Sequence, residues 1–134
     1  MPGILLTISG EPNDDLAQLA AEEITSLTCS VLRKRPEQTM VMIRHVPHRE
    51  WFIGKRPLSA WGKNSFRLEV TVTQDTNTRN EMAEFHKLAF ALLSQLIGDV
   101  HPHSNVHIIE CSADAYGYGG VTQEQRLQLE DQRP

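Results

Sequence analysis

Met1-Pro2-Gly3-Ile4-Leu5-Leu6-Thr7-Ile8-Ser9 opens the chain. A run of apolar and β-branched residues bounded by Gly3 and by Gly10 with Pro12 predicts a buried strand at the very start of the sequence. Chain ends are loose and polar unless a sheet ties them down, so a strand here is informative. Pro2 is small enough for the initiator methionine to be removed, and the mature chain would then begin with a secondary amine. A proline nitrogen inside a peptide bond is an amide and no base, whereas a free one takes up and releases a proton. An α-amino group titrates at roughly 7.7–8.0, and burial or nearby cations bring it towards neutrality. Held on a strand in an apolar pocket, the Pro2 amine is a candidate general base.

Composition bounds the rest. With 134 residues, 40% hydrophobic and 22% charged, the chain is expected to form one globular domain with a modest core. A net charge of −4 with interleaved signs gives no footprint for nucleic acid or a membrane surface. Cys29 and Cys111 lie far apart and suit buried thiols in a reducing compartment better than a disulfide framework. No leader-like segment and no apolar run near ~18 residues is present, so a soluble, cytoplasmic protein is expected.

Apolar positions Leu16, Leu19, Ile24, Leu27, Val31 and Leu32 recur at helical spacing and predict a helix over Asp14–Leu32, capped by Asn13 or Asp14. Basic Arg33, Lys34 and Arg35 suit its carboxyl end, and Pro36 stops it. Thr39–Val46 reads as a nearly all-apolar strand covered on both faces, with Arg44 as the anomaly that must reach a pocket, a partner or the strand end. Trp51–Gly54 is a short segment, and Lys55–Lys63 reads as a loop. Phe66–Thr73 alternates and predicts a half-buried strand, Thr78–Ile97 a second helix ended by Gly98, and Asn105–Cys111 a fourth strand. Tyr116-Gly117-Tyr118-Gly119-Gly120 closes the ordered part, and 121–134 is a polar, helix-tolerant tail.

Strand, helix, strand and aromatic-glycine turn therefore occur twice, at an offset of roughly 64 residues, a period worth finding before any fold is named. The halves run over about 2–62 and 63–120. Each β-α-β unit is too small to bury its helix and sheet face alone. Together they predict an α+β domain, a four-stranded sheet with two helices on one face. The other sheet face is apolar enough to want a partner, most simply a ring of copies.

At these residues the chain resembles the tautomerase superfamily. Pro2 opening a strand and the doubled β-α-β plan carry the resemblance, together with two local stretches. Arg44-His45-Val46-Pro47 through Phe52-Ile53-Gly54-Lys55 resembles the macrophage migration inhibitory factor branch. Ser112-Ala113-Asp114-Ala115-Tyr116-Gly117-Tyr118-Gly119 is similar to the malonate semialdehyde decarboxylase branch, and Tyr116–Gly120 to the aromatic-glycine turn of 4-oxalocrotonate tautomerase. The resemblance implies a cofactor-independent homotrimer with the amino-terminal proline at the floor of pockets between subunits, moving a proton on a small enol or 2-oxo acid. It implies Pro2 as the catalytic base and acid, Arg35 as a carboxylate-binding cation, His107 at the carbonyl oxygen, and Phe52 and Tyr116 as pocket walls; on that reading Arg44, Arg35 or both would hold the carboxylate, and Trp51 would be a further wall.

The departures are Glu11 and Val41 where the superfamily carries arginines, and Asp75 and Asn77, with Arg79 close by, where its decarboxylases and dehalogenases carry an arginine pair. Dehalogenation is therefore not expected. Glu37 stands near the decarboxylase carboxylate, which keeps a malonate semialdehyde decarboxylase-like lyase as an alternative, and a non-catalytic trimeric interaction protein is the competing class. His101 with His103, or His45 with His48, has no cysteine or acid completing a ligand set, so no metal site is expected. The glycines of Tyr116–Gly120 lack the Lys and Ser/Thr of a phosphate loop, and a tight bend is the expectation.

Overall fold

β1 (Gly3–Ser9) lies inside the sheet with a strand hydrogen-bonded along each edge. The structure is a computed structural model and describes residues 1–131. After β1 come α1 (Asp14–Leu32), β2 (Met40–Val46), β3 (Phe52–Ile53), β4 (Arg56–Pro57) and α2 (Leu58–Trp61). The second half follows as β5 (Phe66–Thr73), α3 (Arg79–Ile97), β6 (Asn105–Cys111), β7 (Gly117–Tyr118), β8 (Val121–Thr122) and α4 (Gln123–Asp131). The main sheet has the order β2-β1-β5-β6. β2 runs parallel to β1 and β6 parallel to β5, while β1 and β5 are antiparallel. Parallel neighbours need a crossover, which α1 and α3 supply, so the chain is two fused β-α-β units.

Alternation along β1 and β5 decides what is buried. Ile4, Leu6 and Ile8 with Phe66, Leu68, Val70 and Val72 turn to one face and are at most 1% exposed. Ala20, Ile24 and Leu32 of α1 and Phe85, Ala89 and Leu93 of α3 close that face as one apolar cluster. The Asn13 side chain accepts from Leu16 N at 3.1 Å and caps α1. Thr78 and Glu81 cap α3 reciprocally, Glu81 N donating to Thr78 Oγ1 at 3.1 Å and Thr78 N to Glu81 Oε1 at 2.7 Å.

β2 departs from the expectation of a strand covered on both sides. Val41 and Ile43 pack on the core, but Met40 and Met42 are 58% and 48% exposed, because the two helices cover one sheet face only. Ile109 of β6 is 44% exposed on that same open face, beside Thr71 and Gly3. Cys29 and Cys111 are free thiols, half-buried rather than buried. Among the described residues no helix is long and apolar enough to cross a membrane.

Lys55–Lys63 is not the loop its sequence suggested: β4 pairs with β3, and α2 follows, anchored by buried Leu58 and ended by Gly62 at φ 67°. Two-residue strands carry no readable period. The same elements recur in Val121–Asp131, where β8 pairs with β7 and α4 follows; of the polar tail read from the sequence, 132–134 lie outside the described residues. α1 and α3 are both 19 residues long and begin 65 positions apart, at Asp14 and Arg79. β3 and β7, β4 and β8, and α2 and α4 begin at that same spacing. β1 and β5 are related by 64, and Leu5 pairs directly with Glu69, so the internal two-fold axis passes between them.

Candidate active site

Pro2 is buried at the mouth of β1, and its carbonyl accepts from Met40 N at 3.3 Å, which ties the amino terminus to β2. A cavity of about 380 Å³ opens there, lined by Met1, Gly3, Glu37, Gln38, Met40 and Tyr118 among others. Tyr118 belongs to the β7–β8 hairpin. A Cβ on Gly117 would stand 2.0 Å from Val121 O, so only glycine lets the two short strands close. Arg126 of α4 then fixes Tyr118, with its guanidinium 3.7 Å from the ring centroid and donating to Tyr118 O at 2.8 Å.

The connection between β5 and α3 holds the polar side of the site. Asn77 Nδ2 donates to Leu32 O at 2.8 Å, satisfying a carbonyl at the end of α1. Lys34, just beyond that end, donates from Nζ to Thr76 Oγ1 at 2.9 Å, and Thr76 Oγ1 donates to Thr73 O at 2.6 Å. Thr73 hydrogen-bonds to the Tyr116 hydroxyl, which donates to Met1 O at 3.2 Å.

These contacts set the protonation states. Burial, then the Lys34 ammonium, hold the Met1 amine below its ordinary 8.0, with Glu130 opposing. Burial lowers Lys34 as well, Arg33 adding to the effect and Glu81 opposing. Burial raises the Tyr116 phenol, the Thr73 hydrogen bond pulling the other way, so this hydroxyl stays protonated and donates at neutral pH. The amine at this cavity thus has a phenol donor hydrogen-bonded to its own residue and an ammonium group close enough to disfavour its charged form.

The residues named from sequence divide into groups. Pro2 and Tyr116 come together, while Arg35 lies in the α1–β2 connection, its carbonyl accepting from Thr39 Oγ1 at 2.8 Å and its side chain exposed. Arg44 stands four positions along β2 from Met40, about 13 Å at ~3.3 Å per residue. Trp51 and Phe52 lie beyond the end of β2, at a different cavity of about 680 Å³ with Thr7, Arg67, His103 and Asn105. His107 is exposed on the open sheet face, opposite Glu69, and its Nε2 is 3.1 Å from Asn105 Oδ1. Within one chain, therefore, Arg44, Trp51, Phe52 and His107 are not brought to Pro2. Sequence reasoning passed over Lys34, Thr73, Thr76 and Tyr118. Lys34 lies within Arg33-Lys34-Arg35, where in sequence its charge reads only as a complement to the helix dipole.

Among the described residues no group of three or more His, Cys, Asp or Glu side chains is placed to hold a metal ion.

No protein-family model and no curated protein sequence matches the chain. Solved structures do. A wild-type fused 4-OT described as a symmetric trimer superposes with a TM-score of 0.78 at 9% identity, over 92% of this chain and 98% of that one. The macrophage migration inhibitory factor-like protein of Entamoeba histolytica gives a TM-score of 0.70 at 14% identity, over 90% and 97%. A member of the cis-3-chloroacrylic acid dehalogenase family gives 0.72 at 12% identity, over 97% and 92%. The chain has the α+β fold of the tautomerase superfamily, in its form with two β-α-β units fused in one polypeptide.

Proposed function

We propose that the chain is a keto-enol tautomerase working through the Pro2 amine, freed by removal of Met1. The observation that carries this reading is the amino terminus itself, set in a cavity beside Lys34 and Tyr116 where burial and a cation depress the pKa of an amine. Without Met1 the amine belongs to Pro2, one residue deeper at a buried position. At that depth burial and the Lys34 charge would again disfavour the protonated amine, the condition a general base needs near neutral pH.

The proton passes from an enol oxygen or an α-carbon to the Pro2 nitrogen and returns elsewhere on a small 2-oxo or 2-hydroxy-dienoic acid. Only a proton moves, so no redox group or cofactor takes part. Tyr116 loses its Met1 acceptor when that residue is cut away, and its hydroxyl is free to donate where enolate charge gathers. Lys34 and Arg35 provide the positive field for the substrate carboxylate. The uncovered face bearing Met40, Met42 and Ile109 supports a homotrimer, as do relatives of the same fold described as trimers. In that assembly His107 on the edge strand reaches a neighbour's cavity. Two free thiols suit a reducing, cytoplasmic setting. Glu37 in the cavity wall favours a second reading, a decarboxylating lyase acting on a 3-oxo acid at the same amine.

The test is the ketonisation rate of phenylenolpyruvate and of 2-hydroxymuconate with the protein as made and with Pro2→Ala, Met1 loss being confirmed by intact mass. A rate that collapses in the variant supports the reading. Equal rates in both proteins overturn it. No rate from a folded protein lacking Met1 moves the function to the lyase or to a non-catalytic trimer.

A further inference from the structure

We propose that the cavity at the far end of β1 is a second binding site, for a small planar monocarboxylate, which holds its ligand without moving a proton. The internal two-fold makes this cavity the counterpart of the amino-terminal one. Gly3 of the first cavity corresponds to Arg67 of the second at a spacing of 64, and Gln38, Met40 and Tyr118 correspond to His103, Asn105 and Ile53 at 65. Pro2 has its counterpart in Phe66, which is fully buried in mid-chain and therefore offers an amide nitrogen and no base. The backbone frame of the cavity is repeated while its size and chemistry are not.

What replaces the amine is the Arg67 guanidinium in the cavity lining, with Arg44, outside that lining, on the other side of Thr7. Arg44 and Arg67 both pair with Thr7, from β2 on one side and β5 on the other, and all three face the open side of the sheet. Neighbouring strands lie about 4.8 Å apart, so the backbones of Arg44 and Arg67 stand roughly 10 Å apart about Thr7, within reach of long side chains that lean towards a carboxylate seated over it. Among the described residues Arg67 holds only a long contact to Glu69, 3.3 Å, and its side chain is half exposed. Trp51 and Phe52 supply a flat apolar wall beside these charges, Phe52 being 61% exposed, high for so large an apolar ring. At about 680 Å³ the cavity is within the range of small-molecule sites. Glu50 in the lining and Glu69 beside Arg67 oppose a second negative charge, which selects a monoanion over a dianion.

This site does not depend on Pro2 acting as a base. The experiment is an amide-resolved NMR titration of the whole protein with trans-cinnamate, a planar monocarboxylate that cannot tautomerise. Phe52 and Asn105 amides report this cavity, and Gly3 and Met40 amides the amino-terminal one. Saturable shifts at Phe52 and Asn105 are expected, retained in Pro2→Ala, with affinity there about ten-fold weaker in Arg67→Gln and partly restored in Arg67→Lys, the size of one charge-assisted hydrogen bond. Cinnamamide, equal in shape and uncharged, should bind wild-type protein more weakly by a similar factor, a comparison that needs no variant to fold. Shifts that never saturate at Phe52 and Asn105, saturation confined to Gly3 and Met40, or equal affinity for acid and amide would each overturn the proposal.

Discussion

The hydroxyl of Tyr116 donates to the carbonyl oxygen of Met1 across 3.2 Å, joining the aromatic turn of the second repeat to the first residue of the first. Neither half of the chain builds the amino-terminal cavity alone. Strand β1 supplies the amine, while the second half supplies the phenol and, through Thr73 and Thr76, the seat for Lys34.

Tyr116→Phe keeps the ring and removes the donor. If the hydroxyl stabilises the developing enolate, kcat for phenylenolpyruvate falls by about 10²-fold with KM little changed, the typical loss of one preorganised donor. Steady-state kinetics decide it. A fall in thermal stability with kcat intact would make this hydroxyl a structural tie.

Lys34→Gln removes a cation whose charge disfavours the protonated amine. The amine pKa then rises, and the acid limb of kcat/KM moves to higher pH. Because burial is the larger cause, the shift is partial, and the limb stays below that of an ordinary α-amine. A pH profile of wild type and variant over pH 5 to 9 tests the sign; an unmoved limb removes Lys34 from the electrostatics of the site.

Met42→Glu puts a charge on the sheet face that the helices leave bare, between Met40 and Arg44 and beside Leu5. Burying an unpaired carboxylate costs several kcal/mol. Sedimentation should show wild-type protein as a trimer and the variant as smaller species. A trimeric variant of unchanged stability would mean that this face is not the one the copies share.

Glu81 is held below its ordinary 4.5 first by the Thr78 backbone amide, with Arg33 assisting; their ion pair is 2.8 Å long. A depressed carboxylate contributes stability above its unfolded pKa and loses it as pH falls through the folded value. Glu81→Gln should therefore lower Tm at pH 7, and the gap should close as pH drops below about 4. Thr78→Ala should cost about 1 kcal/mol, an effect of the lost hydroxyl cap that protonation of Glu81 does not mimic.

Long periodic segments were legible because their spacing is a physical signal. α1 begins and ends where the run from Asp14 to Leu32 predicts, and the alternation of Phe66–Thr73 names the four apolar residues that β5 buries, though not Thr73, which is buried as well. The hairpins were not legible. β3, β4, β7 and β8 are two residues each, and α4 is almost wholly polar, so its place as counterpart of α2 shows only in space. Pro2 and Tyr116 could be paired from motif order. Arg44 and Phe52 could not be kept apart from Pro2 that way, since a motif gives residue types and the strand register gives the distance.

The axis through Leu5 and Glu69 has a practical consequence. Within the paired elements, positions in one half have a twin 64 or 65 residues away on a matching backbone, with different surroundings and, on the reading above, a different task. The chain thus carries its own control experiment. Exchanging Met40 for the Asn at its twin, or Asn105 for the Met at its twin, asks how little side-chain change separates a pocket that reacts from one that only holds.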